Sequence, residues 1–415
     1  MRSKSTIGSH GKAVQTLYLT ICVVLSLISL ARAFDPYSYP LKSVQCDAVR
    51  REPTLEQVKI EMSAYIHLFL TVNSLAHNGE LWTGYVDVGD TSFPTILMVH
   101  GWPSIWSTWS KQIEAFEKDY RLLVPDLRGS GYSSHPDDYK SSHTMQDLVH
   151  DLVCILEDAK VSSAVCMGHD WGSQICYEAA RMRPDIFNAV IGLVVPYIPS
   201  AGPYVSVKQF VPTIPKLAYQ TYFDRQTQKA ADELNADIRR SLRATLRTVL
   251  SPPPDAFLTS ETSFLGAWKH VEEIPPVPFF SAREEDYFVA AFERQGFLYS
   301  ALEIVCKAQA SLISLLAFGF YTEESRQMSH TFDSKQGNFT IPQPVLSVLA
   351  TKDPVADWSV AMKLLNSSSF ITDLTVKFVD GAHWVHLENP EPVNKAIKKW
   401  LQALPSDRRR PVDEL

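Results

Sequence analysis

The sequence predicts an α/β protein with a mostly parallel central sheet, helices on both faces and an inserted helical cap. Three observations carry this. Short apolar runs of strand length recur through residues 81–167, a helix-periodic stretch separates two of them, and the strand pattern returns near the C-terminus after a long gap. Residues 81–88 read as a strand, closed by the turn residues Asp87-Val88-Gly89-Asp90. Thr95-Ile96-Leu97-Met98-Val99 is apolar throughout, as a strand buried on both faces should be. Residues 120–125 and 163–167 repeat that pattern. Between them, Met145, Leu148, Leu152 and Ile155 recur at helical spacing over residues 144–157. Residues 344–350 and 374–379 resume the strand signal. Asn389-Pro390-Glu391 then opens a last helix, with Asn as N-cap and Pro in its first turn, running to about Leu401.

From residue 196 to 326 the strand alternation is replaced by helical stretches broken by Ser251-Pro252-Pro253-Pro254 and Ile274-Pro275-Pro276-Val277-Pro278. Because the sheet pattern resumes afterwards, this segment reads as a cap inserted into one core domain. The organisation is therefore a targeting segment (1–33), a lead-in with helix-like segments (34–79), a core in two parts (80–195 and 327–404), the cap (196–326) and a charged tail (405–415).

A net charge of −7, with no basic block interleaved with aromatics, argues against nucleic acid as a partner. At the N-terminus Arg2, Lys4 and Lys12 precede an apolar run over residues 14–31, followed by Ala31-Arg32-Ala33. This reads as a secretory signal cleaved after Ala33, the alternative being an uncleaved membrane anchor. Either places the body in the lumen or outside the cell. Asn338-Phe339-Thr340 and Asn366-Ser367-Ser368 are glycosylation acceptors in such a chain. The terminal Val412-Asp413-Glu414-Leu415 is similar to tetrapeptides that retain proteins in the endoplasmic reticulum, differing at its first position. Beyond Cys22, five cysteines remain without regular spacing, and Cys154, Cys166 and Cys176 read as buried, unpaired small hydrophobes. No Cys/His cluster has metal-ligand spacing, so neither metal nor cofactor is expected.

The chemistry centres on Gly168-His169-Asp170-Trp171-Gly172, which follows the 163–167 strand and precedes a helix starting near Ser173. Glycines flanking a sharp strand-to-helix turn expose the central side chain as a nucleophile. Here that side chain is a carboxylate. Asp170 is ionised at neutral pH and can displace at saturated carbon without a base, leaving an ester that water can cleave. A serine would leave an ether. The residue type therefore points to epoxides or alkyl halides rather than acyl transfer. His383, in Gly381-Ala382-His383-Trp384 after the last strand, is the candidate base for the ester, and Asp353, after the strand ending at Ala350, its orienting partner. His386 and Asp357 are rivals read as ordinary polar residues. The backbone N–H groups of Trp102 and Trp171 are candidates for an oxyanion hole. His100, His169 and the 126–131 loop read as structural.

His100-Gly101-Trp102-Pro103, the Asp170 pentapeptide, the 126–131 loop and Gly381-Ala382-His383-Trp384 together resemble the epoxide hydrolases of the α/β-hydrolase superfamily, from about Leu81 to Leu401. The resemblance implies an α/β-hydrolase fold and hydrolysis of a small apolar epoxide to a vicinal diol without cofactor. It also implies two cap tyrosines that hydrogen-bond the epoxide oxygen. Tyr219, in Ala218-Tyr219-Gln220-Thr221-Tyr222-Phe223, matches the first, and Tyr222 reads as a packing residue. The second is expected after Glu284-Glu285-Asp286…Gly296-Phe297, where Ile304 or Val305 stands instead, with Tyr299 poorly placed to substitute. Two alternatives remain at this point. One is a haloalkane dehalogenase with the same nucleophile and base, its halide held by Trp171 with Trp102 or Trp268. The other is a binding protein on a decayed scaffold.

Overall fold

The apolar runs pair into one eight-stranded sheet in the order β1-β2-β4-β3-β5-β6-β7-β8. Its strands are β1 (Leu41–Asp47), β2 (Glu80–Val88), β3 (Thr95–Val99), β4 (Arg121–Pro125), β5 (Ala164–His169), β6 (Phe187–Leu193), β7 (Ile341–Ala350) and β8 (Ile371–Val379). β1 and β2 pair antiparallel, as do β2 and β4, and every later pairing is parallel. The computed structural model describes residues 34–47, 80–134, 143–295 and 316–405. Residues 36–415 form one compact unit, and of residues 1–35, a separate unit, only 34 and 35 are described. β3, β4 and β5 are buried along their whole length, which is why they carry no polar alternation.

Helices α1 (Ser110–Phe116), α2 (Met145–Asp158) and α3 (Trp171–Met182) connect the first strands. α2 begins at a capping box in which Thr144 accepts from the Asp147 N–H and Asp147 accepts from that of Thr144. Between β6 and β7 the chain is helical: α4 (Ala218–Arg225), α5 (Thr227–Asn235), α6 (Ile238–Thr245), α7 (Ala282–Gln295) and α8 (Glu323–Gln336) are its longer elements. The last helices are α9 (Trp358–Leu364) and α10 (Pro390–Ala403). Asn389 does not cap α10 through its side chain, which donates instead to the Asp380 carbonyl.

Two expectations are corrected. The lead-in contributes a strand, β1, which the expectation of helix-like segments did not include, and its residues 48–79 lie outside those described. The cysteines are also paired. Cys46 of β1 is bonded to Cys154 of α2, and Cys166 of β5 to Cys176 of α3. Sequence separations of 108 and 10 residues show no regular pattern, because both pairs are set by strand–helix packing. Among the described residues no helix is long and apolar enough to cross a membrane, and the 1–33 segment lies outside them.

Candidate active site

Asp170 sits on the turn between β5 and α3 with φ +56° and ψ −122°, a conformation L-residues rarely adopt. The turn is that sharp because Gly168 and Gly172 lie against each other. A Cβ on Gly168 would strike the Gly172 carbonyl, and one on Gly172 would strike the Val99 carbonyl of β3. Gly101 is equally constrained, since a Cβ there would meet the Asp170 carboxylate. The close approach lets the Trp102 N–H donate to Asp170 Oδ1 at 2.9 Å. α3 begins at Trp171, so its N-terminal dipole also points towards this carboxylate.

On the other side, His383 Nε2 stands 3.4 Å from Asp170 Oδ2, and its Nδ1 bonds Asp353 Oδ2 at 2.7 Å. Asp353 is buried and held by the Val355 N–H and the Trp358 indole N–H at 2.8 and 2.6 Å. It can therefore orient the imidazole without moving. Burial would raise the Asp170 pKa, but His383, His169 and the Trp102 N–H outweigh it and leave that pKa below the usual carboxylate range. Burial would likewise lower His383, yet Asp353 and Asp170 carry it to about 10.

The neighbouring histidines do other work. His100 Nε2 accepts from the Leu127 N–H, and His169 Nε2 bonds the His383 carbonyl; burial lowers both pKa values to about 4. His386 meets Thr108 at 3.2 Å and packs on His169. Asp357 caps α9. In the 126–131 loop, Asp126 accepts from the backbone of Trp106 and Tyr132.

A cavity of about 1080 Å³ opens in front of Asp170, walled mainly by apolar side chains that include Trp102, Phe257, Phe264, Phe320 and Ile214. Trp268, proposed as a halide donor, is not among its lining residues. Tyr219, on α4, faces the carboxylate, and beside it stands a residue that the sequence reading missed: Tyr321. Their rings are 5.7 Å apart, and each phenol acts on the ionisation of the other. Burial, followed by the Asp170 charge for Tyr219, pushes both phenols above their ordinary pKa, so both remain protonated donors. Tyr321 packs edge-on against Trp102 and Trp171, while Tyr222 is wholly buried away from the carboxylate in a layer with Phe223. Ile304, Val305 and Tyr299 lie outside the described residues. One signal could have found Tyr321. The Gly-Phe pair of Gly296-Phe297 recurs at Gly319-Phe320, immediately before it, and Thr322 caps the following helix.

This fold and site have known counterparts. A profile for the alpha/beta hydrolase fold matches residues 94–390, and the chain belongs to that family. Among curated relatives it is 25% identical to a pig protein named bifunctional epoxide hydrolase 2, over 98% of this chain but 66% of that one. It is 27% identical to epoxide hydrolase A of Mycobacterium tuberculosis, over 77% of this chain and 94% of the relative. The chain thus spans about two thirds of the length of the pig protein and 53% of a rat protein of the same name. Among solved structures, epoxide hydrolase A of Mycobacterium thermoresistibile aligns with a TM-score of 0.63 and 25% identity, over 78% of this chain and 96% of that one.

Proposed function

We propose that the protein hydrolyses an apolar epoxide to a vicinal diol through a covalent ester on Asp170. The observation that carries this is an ionised carboxylate and the buried phenol of Tyr219 lining one apolar cavity, with a second buried phenol, Tyr321, packed beside the first. Oδ2 attacks a ring carbon while its C–O bond breaks, and the departing oxygen takes a proton from a tyrosine. Tyr219 and Tyr321 are both placed to stabilise that oxygen, which would otherwise leave as a basic alkoxide. In the second step His383 removes a proton from water, which attacks the Asp170 carbonyl carbon. The negative charge then falls on Oδ1, where the Trp102 N–H already donates, with the Trp171 N–H as second donor. Collapse breaks the ester C–O bond, the departing oxygen takes the proton of the hydroxyl that water added, and the diol leaves as the carboxylate is restored. Two phenols suit an alkoxide better than a halide, which needs no proton, and this favours the epoxide over the haloalkane.

The same proposal places the protein in the secretory pathway, secreted or retained in the lumen of the endoplasmic reticulum. Two disulfides suit an oxidising compartment, and Asn338 and Asn366 are both exposed on the folded body. A mobility shift on glycosidase treatment of protein from secreting cells, lost in Asn338→Gln/Asn366→Gln, tests that part.

The chemistry is tested by mass spectrometry of His383→Gln incubated with aryl and alkyl epoxides. The carboxylate can still attack but water cannot be activated, so the Asp170 peptide should gain the mass of the epoxide. Asp170→Asn should gain none. An adduct from brominated alkanes but from no epoxide would overturn the assignment.

A further inference from the structure

We infer that Arg326, acting through Gln220, is a positioning residue that aims the Tyr219 proton at the epoxide oxygen and makes it easier to give up. The inference rests on the epoxide reading above and adds a residue outside the reacting set. Arg326 lies on α8 beside the cavity, and its guanidinium bonds a backbone carbonyl and a side-chain amide rather than a carboxylate. Nε donates to the Phe320 carbonyl at 2.8 Å and Nη2 to Gln220 Oε1 at 2.8 Å. Gln220 Nε2 in turn donates to the Tyr219 hydroxyl at 3.1 Å.

The direction of this relay is fixed by chemistry. A guanidinium has only donors, so Gln220 must present its carbonyl oxygen to Arg326 and its NH₂ to Tyr219. The Tyr219 oxygen is thereby made an acceptor on that side. Its own proton cannot point back along the chain and is left for the cavity, where the Asp170 carboxylate and the substrate meet. Removing that proton leaves a phenolate, and a guanidinium one amide away, in a site of low dielectric, favours the anion. Asp170, Gln220, Tyr321 and Arg326 are the groups that act on Tyr219: the carboxylate opposes ionisation and the other three assist it.

The guanidinium is also held in place. It lies 5.2 Å over the Trp171 ring and 5.7 Å from that of Tyr321, and Phe320 stacks on Trp171 at 5.2 Å. The Phe320–Tyr321–Arg326 segment thus fixes the second phenol and the cation that serves the first. A cation paired with a carboxylate would be largely cancelled; among the described residues Arg326 forms no such ion pair, and Glu323 acts on it only as a weaker, more distant charge.

The two half-reactions separate this role from a structural one. In single-turnover experiments, Arg326→Met and Gln220→Leu should each slow formation of the Asp170 ester by on the order of tenfold. Breakdown of a preformed ester should stay within about twofold, because neither residue touches His383. The double variant should lose little beyond either single one, and Arg326→Lys should recover part of the rate. Ester formation at the wild-type rate, equal slowing of both steps, or multiplying losses would overturn the inference. A substrate-independent readout keeps the two readings apart. With 3,5-difluorotyrosine in place of Tyr219, its ionisation followed by ¹⁹F NMR should move to higher pH in Arg326→Met and in Gln220→Leu. An unmoved titration refutes the relay. A wild-type enzyme that no epoxide alkylates refutes the epoxide reading, while that titration still decides this one.

Discussion

Replacing Tyr321 by Phe removes one hydroxyl and almost nothing else. The ring packs 5.3 Å from Trp102, 5.2 Å from Phe223 and 5.7 Å from both Trp171 and Tyr219, and phenylalanine keeps each of these contacts. The stability lost is then that of the polar interactions of one buried hydroxyl with Tyr219 and Trp171, about 1 kcal/mol. The kinetic loss should be larger. A preorganised donor to a developing oxyanion in a dry site contributes about 3–4 kcal/mol, so ester formation should slow by roughly 10²–10³-fold. Tyr219→Phe should show a similar deficit, and the double variant should be slower than either. Rapid-quench measurement of the alkylated enzyme reads this step directly, and tryptophan fluorescence can follow it through Trp102 and Trp171. Ester breakdown uses His383 and the backbone donors and should be unaffected. If Tyr321→Phe forms the ester within about threefold of the wild-type rate, Tyr321 is not a donor to the epoxide oxygen. The assignment of two phenols to one oxygen would then fail.

Other consequences are open to test. The 108-residue separation of Cys46 and Cys154 closes a far longer loop than the 10-residue separation of Cys166 and Cys176. On loop entropy, Cys46→Ala/Cys154→Ala should cost about 5 kcal/mol and Cys166→Ala/Cys176→Ala about 3 kcal/mol. Denaturant unfolding without reductant measures both, and a reversed order would show that chain entropy is not what the bridges supply. For pH, burial opposes protonation of His383, but Asp353 and Asp170 carry its pKa to about 10. A pKa raised on folding stabilises fully below the unfolded value of about 6.5, and the effect is lost as pH rises through the folded value. The melting temperature of the wild type should therefore fall more steeply from pH 6.5 to 10 than that of Asp170→Asn. Ring NMR of His383 should show it titrating at lower pH in the variant, and matching titrations would mean that Asp170 does not hold the proton on the imidazole.

The parts of this molecule legible from sequence are those whose physics is local. β3 announces itself because a strand buried on both faces shows no polar alternation, and Asp170 because two glycines four residues apart make sense only around a turn. His383 and Asp353 could be placed by chain order alone, each just beyond a strand end on one edge of the sheet. What was missed depends on distant partners. β1 is a strand because β2 offers it a ladder, and the cysteines pair because α2 packs beside β1 and α3 beside β5. Tyr321 escaped for a related reason. Counting forward from Gly296-Phe297 assumes an uninterrupted segment, whereas Tyr321 ends a 3-10 turn (Leu316–Tyr321) just before α8, so the spacing carried no information about it.

The charges in the site also account for how one histidine can serve a cycle in which it begins protonated. Flanked by Asp353 and Asp170, the resting imidazole holds a proton and cannot act as a base at neutral pH. In the proposed cycle, ester formation removes the Asp170 charge, and with it one of the two carboxylates that keep the proton on His383. The same step leaves a phenolate where a tyrosine has protonated the epoxide oxygen. One group now holds a proton too weakly and another lacks one, so the imidazolium loses its proton as the phenol regains it. The neutral imidazole then takes a proton from water as the ester breaks, and the returning Asp170 charge secures it there. Protons thus balance over one turnover: of the two water protons one resets His383 and the other ends on the diol. The water oxygen replaces Oδ2 in the Asp170 carboxylate, and Oδ2 leaves as the new hydroxyl oxygen of the diol. On this account alkylation itself converts His383 from a counter-ion into a base, which prevents premature activation of water before there is an ester to cleave.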